Sequence, residues 1–284
     1  MAERLNKVIE IIEKGGVAFG PFIQAGSIPD AVWAASSSYD AVVYEMEHVI
    51  FDLSALRLSM QFMLDRRQIA TSGSVAPAVA PFVRIPINGR ENVEWVVKQV
   101  LDLGVYGIVF PMINTVDDAV HALSACRYGQ AIGAADQWPT GRRGHAPGNA
   151  VRYWGLTQPE YFDRADVWPL DPQGEILPLL QCETIESVKN LPGILREVKK
   201  PGLILISESD LSVSMGYRAR RTPEVEAAVQ EAVKVCRDAG VPFGSPQVTA
   251  DNIEQRLADG FQYLMPAPGR DLSVLDRGRS LARR

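Results

Sequence analysis

The chain has 284 residues, 46% of them hydrophobic, and a formal net charge of −5. That length supports one large core or two modest ones. The acidic balance, without a long basic run, argues against nucleic acid or an anionic membrane surface as partner, and no stretch approaches the roughly 20 apolar residues of a membrane-spanning helix.

The opening segment, MAERLNKVIEIIEKGG, is charged and helix-like and does not have the pattern of a signal peptide. Apolar, often β-branched runs then recur at 17–24, 41–45, 81–85, 105–110, 176–182, 203–207, 241–244 and 262–265. Helix-period segments lie between most of them, at 52–66, 91–103, 115–126, 184–199, 223–239 and 250–259. Asp52, Thr115, Thr184 and Thr222-Pro223 stand where helix starts are expected, and Gly104, Gly240 and Gly260 where helices stop. Pro192 predicts a kink or break in 184–199. Segments 67–80 and 127–157 read as long loops, suited to lids or subunit contacts. No linker or low-complexity tract divides the sequence. Repeated strand-then-helix alternation predicts parallel strands covered by helices. At this length a single α/β domain over 1–284, a (β/α)8 TIM barrel, fits best, with a doubly wound open sheet as runner-up.

Cys126, Cys182 and Cys236 are odd in number and widely spaced, without a C-x-x-C pair. Neither a disulfide framework nor a zinc knuckle follows, and the expectation is a soluble, reduced, cytoplasmic protein.

In a (β/α)8 enzyme the chemistry sits at the carboxyl ends of the strands. The polar residues leaving the predicted strands are Glu45, Glu47 and His48, then Arg84, then Gln181 and Glu183, then Ser207, Glu208, Ser209 and Asp210. In a barrel these converge on one rim. Alternation along 179–183 puts Leu179, Gln181 and Glu183 on one face and turns Cys182 toward the covering helices as a packing residue. Glu183 and Asp210, on neighbouring strands, suit a hard divalent cation such as Mg²⁺, Mn²⁺ or Co²⁺. Taken singly, a carboxylate at a strand end is more often a cap or an ion-pair partner; the pair together with a rim arginine and histidine shifts that balance. The lysines, at 7, 14, 98, 189, 199, 200 and 234, all fall on helices or helix ends, which disfavours Schiff-base chemistry. No P-loop, G-x-G-x-x-G or G-x-S-x-G elbow is present. His121 reads as a helix-surface residue, and His145, in a Gly-rich loop, has no assigned part.

Several short blocks then form an ordered set: Glu47-His48, Val83-Arg84, Gly107-Ile108-Val109-Phe110-Pro111-Met112, Gly141-Arg142-Arg143-Gly144, Gln181-Cys182-Glu183-Thr184 and Asp210-Leu211-Ser212, followed by Met215-Gly216-Tyr217. Over roughly 17–283 this set resembles the metal-dependent class II pyruvate aldolases of the HpcH/HpaI type, which include macrophomate synthase-like enzymes. The resemblance implies that Glu183 and Asp210 bind the divalent metal and that Arg84 holds the keto oxygen. It makes His48 the acid/base group, with Glu45 at the position of the acid beside it, and sets Gln181 next to the metal. It assigns the substrate carboxylate to the segment around Ser209 and Asp210. The implied reaction joins pyruvate to an aldehyde, or cleaves a 4-hydroxy-2-keto acid. The implied assembly is a homo-oligomer, commonly a hexamer (a trimer of dimers) whose dimers exchange the last helix, here 271–283.

Three features depart from the family pattern. Glu45 stands where the family has Asp, Ser207-Glu208-Ser209-Asp210 replaces a Gly-Pro-x-Asp segment, and IPINGR after Arg84 is longer than usual. Glu208 would set a negative charge beside the substrate carboxylate unless it turns away or pairs with an arginine. The same site could serve an oxaloacetate-type decarboxylase or an acyl-CoA lyase, the latter needing a basic cleft that only Arg142, Arg143 and Arg152 could form. A non-catalytic keto-acid-binding barrel is the third reading.

Overall fold

The computed structural model describes residues 3–86, 93–135, 138–267 and 269–282. Among them an all-parallel sheet of nine strands forms the centre: β1 (Ala18–Phe19), β2 (Phe22–Ile23), β3 (Ala41–Glu45), β4 (Ala80–Arg84), β5 (Gly107–Phe110), β6 (Leu177–Cys182), β7 (Leu203–Ile206), β8 (Phe243–Val248) and β9 (Tyr263–Pro266). Their order is β1-β9-β8-β7-β6-β5-β4-β3-β2. The two end members, β1 and β2, are separated in the chain only by Gly20 and Pro21, so the sheet curls until its ends meet in one short segment. The break itself stays bonded: the Gly20 N–H donates to the Leu264 carbonyl (3.1 Å) and the Val43 N–H to the Pro21 carbonyl (2.9 Å). Glycine is required there, because a Cβ would lie 2.6 Å from both the Ala41 carbonyl oxygen and the Tyr263 hydroxyl.

β3 to β7 and β9 are buried at every position. This is the pattern of parallel strands covered by helices, and it explains their unbroken apolar runs. The covering helices begin where the expected caps stand. The Asp52 side chain accepts the Ser54 and Ala55 N–H groups, Thr115 and Thr184 form capping boxes, and Thr222 precedes Pro223–Ala239. Gly104 and Gly240 close their helices in the left-handed conformation. One further helix, Ile28–Ser36, stands between β2 and β3; the Ser27 hydroxyl accepts the Asp30 N–H at its start (3.3 Å).

Several expectations are corrected. The pattern over 52–66 stops at Met63, because the Asp65 side chain accepts the Arg67 and Gln68 N–H groups and starts a new helix, Arg66–Ser72. The segment 67–80 is therefore not a plain loop. The stretch 127–157 likewise contains the helix Gly148–Trp154. Pro192 does not end its helix: Ile185–Glu197 runs through it, held to the core on both sides by Val188, Leu191, Ile194 and Leu195. The strand expected at 241–244 continues to Val248, with a register irregularity between Ser245 and Val248. Most of IPINGR and the first two positions of the helix expected at 91–103 lie outside the described residues.

The last helix, Ser273–Leu281, packs on its own chain with Leu275 buried. Gly278 gives it close approach, since a Cβ there would meet Ile253 Cδ1 and Phe19 Cε1 at 2.6 Å. Among the described residues no helix is long and apolar enough to cross a membrane.

Candidate active site

Strand register builds the site. Glu45 and Arg84 are paired residues at the ends of β3 and β4, so their side chains leave the sheet on the same face. Arg84 Nε donates to Glu45 Oε2 at 2.8 Å, and Arg84 Nη2 bonds the same oxygen. Glu45 Oε1 accepts the N–H groups of Glu47 (2.7 Å) and His48 (3.2 Å), which fixes the turn that leaves β3. The acid next to the imidazole is therefore Glu47: its Oε2 lies 3.3 Å from His48 Nε2 and 3.1 Å from Arg84 Nη1. Glu45 meets only the backbone of His48. The His48 side chain is 66% exposed, open to a ligand or to water. The Arg84 guanidinium also sits 4.3 Å from the centroid of the Phe22 ring, so cation–π attraction adds a third restraint.

Across the mouth, Glu183 follows β6. Its Oε1 accepts the Met112 N–H (2.6 Å), and its Oε2 accepts Gln181 Nε2. Met112 adopts a left-handed backbone (φ 55°) just after β5. That conformation is costly for a side-chain-bearing residue and aims the N–H at the carboxylate. β7 ends at Ile206, Ser207 caps the next helix, and Glu208–Ser214 follows directly. Asp210 lies in its first turn, solvent-open, with Oδ2 accepting the Ser207 hydroxyl (2.7 Å).

Electrostatics tie the two sides together. Burial pushes Glu183 up to about 8, the Met112 N–H opposes this, Asp210 and Glu47 raise it further, and Arg84 lowers it. Burial also raises Glu47, against the pull of Arg84 and His48, with Glu45 and Asp210 pushing upward. Glu47, Glu183 and Asp210 therefore lie within one another's field, with Arg84 the cation common to both shifted acids.

Among the described residues no three His, Cys, Asp or Glu side chains converge as a finished cation cage. The donors nonetheless suit a hard cation. Glu183 and Asp210 supply carboxylate oxygens, and among the described residues Gln181 Oε1 is buried without a hydrogen-bond partner. Crowded acids and an orphaned acceptor oxygen are what a divalent ion bound by two protein carboxylates would satisfy.

Glu208 turns away from the mouth. It is ion-paired to Arg256 Nη2 (3.0 Å) and Arg221 Nε (3.1 Å), and the Arg256 side chain is only 3% exposed. Its charge is thus neutralised within the protein. Arg143 is buried against Asp102, Tyr128 and Tyr161, and Arg142 pairs with Glu94, so these two do not form a basic cleft. Cys182 faces the helices, 3.3 Å from the Ser187 hydroxyl, as alternation predicts.

Sequence reasoning missed Gln247. It lies near the end of β8 with φ 59°, exposed, and its Oε1 accepts the Ser209 hydroxyl at 2.5 Å. The proline before it was the available signal, since strand interiors exclude proline except at irregularities.

The fold is that of an α/β enzyme, and its candidate reactive groups project from the carboxyl edge of a curled parallel sheet. The sequence profile of the HpcH/HpaI aldolase/citrate lyase family matches residues 22–274, and the chain belongs to that family. It is an enzyme of the carbon–carbon lyase class. Among its relatives is a hydroxypyruvate/pyruvate aldolase of Roseobacter denitrificans, 26% identical over 99% of this chain and 98% of that one. A 4-hydroxy-2-oxovalerate aldolase of Rhodococcus jostii is 27% identical over 99% of this chain and 95% of its own. An HpcH/HpaI aldolase/citrate lyase family protein of Burkholderia cenocepacia shares the fold with a TM-score of 0.73 at 23% identity, covering 97% of this chain and 96% of that one. A citrate lyase beta subunit of M. tuberculosis, solved with oxaloacetate and magnesium, matches the fold at a TM-score of 0.58 and 11% identity, over 95% and 98% of the two chains.

Proposed function

We propose that the protein is a divalent-metal-dependent aldolase that forms or cleaves a 4-hydroxy-2-keto acid, with pyruvate as one product or substrate and an aldehyde as the other. The observation that carries this reading is Arg84, fixed by Glu45, Glu47 and Phe22 on one side of the mouth, with Glu183 on the other within the field of both Arg84 and Asp210. Glu183 and Asp210 would hold Mg²⁺, Mn²⁺ or Co²⁺, which when bound supplies Lewis-acid polarisation of a keto acid. Arg84 is a permanently charged fork aimed at the keto oxygen, where negative charge grows as a methyl or methylene proton leaves. His48, exposed and beside Glu47, moves the proton to or from the aldol hydroxyl. Gln181 steadies Glu183. The segment at Ser209 and Asp210 receives the substrate carboxylate, and the inward pairing of Glu208 removes the repulsion that would oppose it.

We read the chain as one domain and count β1 and β2 as halves of a single strand, which gives an eight-stranded (β/α)8 barrel. We also propose a cytoplasmic homo-oligomer. Exchange of the last helix would place Leu275 and Gly278 in the same groove of a neighbouring chain. The Arg279 guanidinium donates to the Ser38 carbonyl within one chain here, so cysteines placed at Ser38 and Arg279 would then be bridged by a short bifunctional thiol-reactive linker between chains, not within one.

The test is exchange of the methyl protons of pyruvate in deuterated water, followed by NMR with each of the three metals. Wild type should exchange, and Glu183→Gln should lose both metal binding, measured by calorimetry, and exchange. Full exchange by Glu183→Gln would refute the site.

A further inference from the structure

A cavity of about 400 Å³ opens beside Arg84, over the carboxyl ends of β2 and β3. It shares two residues with the site. Phe22 lines it and carries the Arg84 guanidinium on its ring, and Glu45 lines it and bonds Arg84. The rest of its wall includes Ile23 and Trp33, the latter braced edge-on by Tyr39 at 6.3 Å between ring centroids.

Of the four polar side chains in this wall, Glu45 is committed, and Gln24, Asp30 and Arg270 are exposed to solvent. Glu45 serves Arg84 and two backbone N–H groups. Asp30 and Arg270 face each other at 3.6 Å, both well exposed, so water already screens them. Gln24 is the remaining polar side chain. The surface offered to a ligand is therefore largely aromatic and aliphatic.

We propose that this cavity receives the aldehyde-derived end of the substrate and selects an aryl or bulky apolar group there over a polyhydroxylated chain. The inference rests on the aldolase reading above. A polyhydroxylated chain must exchange water for protein partners at every hydroxyl, and the wall offers too few. A ring buries apolar area against Phe22, Ile23 and Trp33 instead. In the synthetic direction the pyruvate methyl carbon forms the new bond to the aldehyde carbonyl carbon. The methyl proton leaves to the base and the aldehyde oxygen gains a proton, so the step is a net addition with no other reactant.

Three measurements test it. Methyl-proton exchange of pyruvate by the metal-loaded wild type involves no aldehyde; its absence would remove the parent reading and this inference together. With exchange present, kcat/KM for addition of pyruvate to benzaldehyde should exceed that for glyceraldehyde by at least tenfold, and equal or reversed values would overturn the inference alone. Trp33→Ala should collapse that preference about tenfold and Trp33→Phe should restore most of it; a preference unmoved by Trp33→Ala would also overturn it. In metal-free protein, saturation-transfer NMR should show contact with benzyl alcohol and not with glycerol, and this should be lost in Trp33→Ala. Equal signals from both alcohols would count against the pocket whatever the turnover data show.

Discussion

Arg84 carries the site's positive charge, and its geometry depends on its fork. Nε and Nη2 meet Glu45, Nη1 approaches Glu47, and the flat face rests on Phe22. Lysine keeps the charge and cannot reproduce two parallel bonds and a stacked face. Arg84→Lys should therefore lower turnover by about 10²-fold or more while the melting temperature moves little, read by proton exchange and thermal denaturation. Gln247 presents the opposite case, a residue held in strain. Its left-handed backbone suits glycine, and relaxing it should add about 1 kcal/mol of stability. Gln247→Gly should thus melt higher. It should also raise KM for the keto acid more than it lowers kcat, because Ser209 loses the acceptor that orients it. A variant that melts higher with KM unchanged would remove Gln247 from substrate positioning.

At the scale of elements, the acids and arginine of the mouth were legible because each ends a run of apolar residues. AVVYE, APFVR and LPLLQC announce strands by composition, and the polar residue that breaks each run lies at the rim. β8 was legible only in its first half. Ser245-Pro246-Gln247 lacks strand propensity, and the left-handed turn at Gln247 carries the chain past it by a geometry that no local preference encodes. The helix Arg66–Ser72 escaped notice because Asp65 both ends one apolar pattern and caps the next, while none of the helix's seven residues is buried to give it a periodic face. The partner of Glu208 was invisible for a different reason: Arg256 lies 48 positions away on another helix. That helix, Ile253–Ala258, is tied to Glu208–Ser214 by this buried pair and to the helix Pro223–Ala239 through Glu226 (3.4 Å). Arg256→Leu leaves the Glu208 carboxylate with only the exposed Arg221, and should cost about 3 kcal/mol, measured by urea denaturation. Near-wild-type stability would show that Arg221 alone neutralises Glu208.

At the scale of the whole molecule, the interior imposes a single protonation state on its thiols. Burial pushes Cys182 up to about 12, with the Ser187 hydroxyl opposing and Glu183 adding to it, and raises Cys126 and Cys236 as well. All three cysteines are free and buried. At pH 8 the folded protein should resist a thiol-reactive disulfide reagent, and unfolding should release all three groups. The same displacement sets a stability profile. In the unfolded chain these thiols ionise near 9.0, whereas in the folded protein they hold their protons well above that. Their contribution is fully present below pH 9, and it is lost as pH rises from there toward the folded values. The denaturant midpoint should fall between pH 9 and pH 11, and less steeply when Cys126 and Cys236 are replaced by alanine. An unchanged slope would assign the fall to other groups.

The seam at Gly20-Pro21 bears on the order in which the chain can fold. β1 needs β9 and β2 needs β3, so one segment near the start must find a neighbour about twenty residues away and another about 245 away. During synthesis the second neighbour does not exist until residues 263–266 have been made. Phe19, fully buried at the end, stays without its final surroundings until then, and the last helix, which packs on it through Gly278, arrives later still. Long-range closure of this kind is slow and leaves apolar surface uncovered meanwhile. The nascent chain is therefore most vulnerable to aggregation and most attractive to chaperones until β9 and the helix Ser273–Leu281 have been made, and a chain truncated after residue 254 should aggregate instead of closing a smaller sheet.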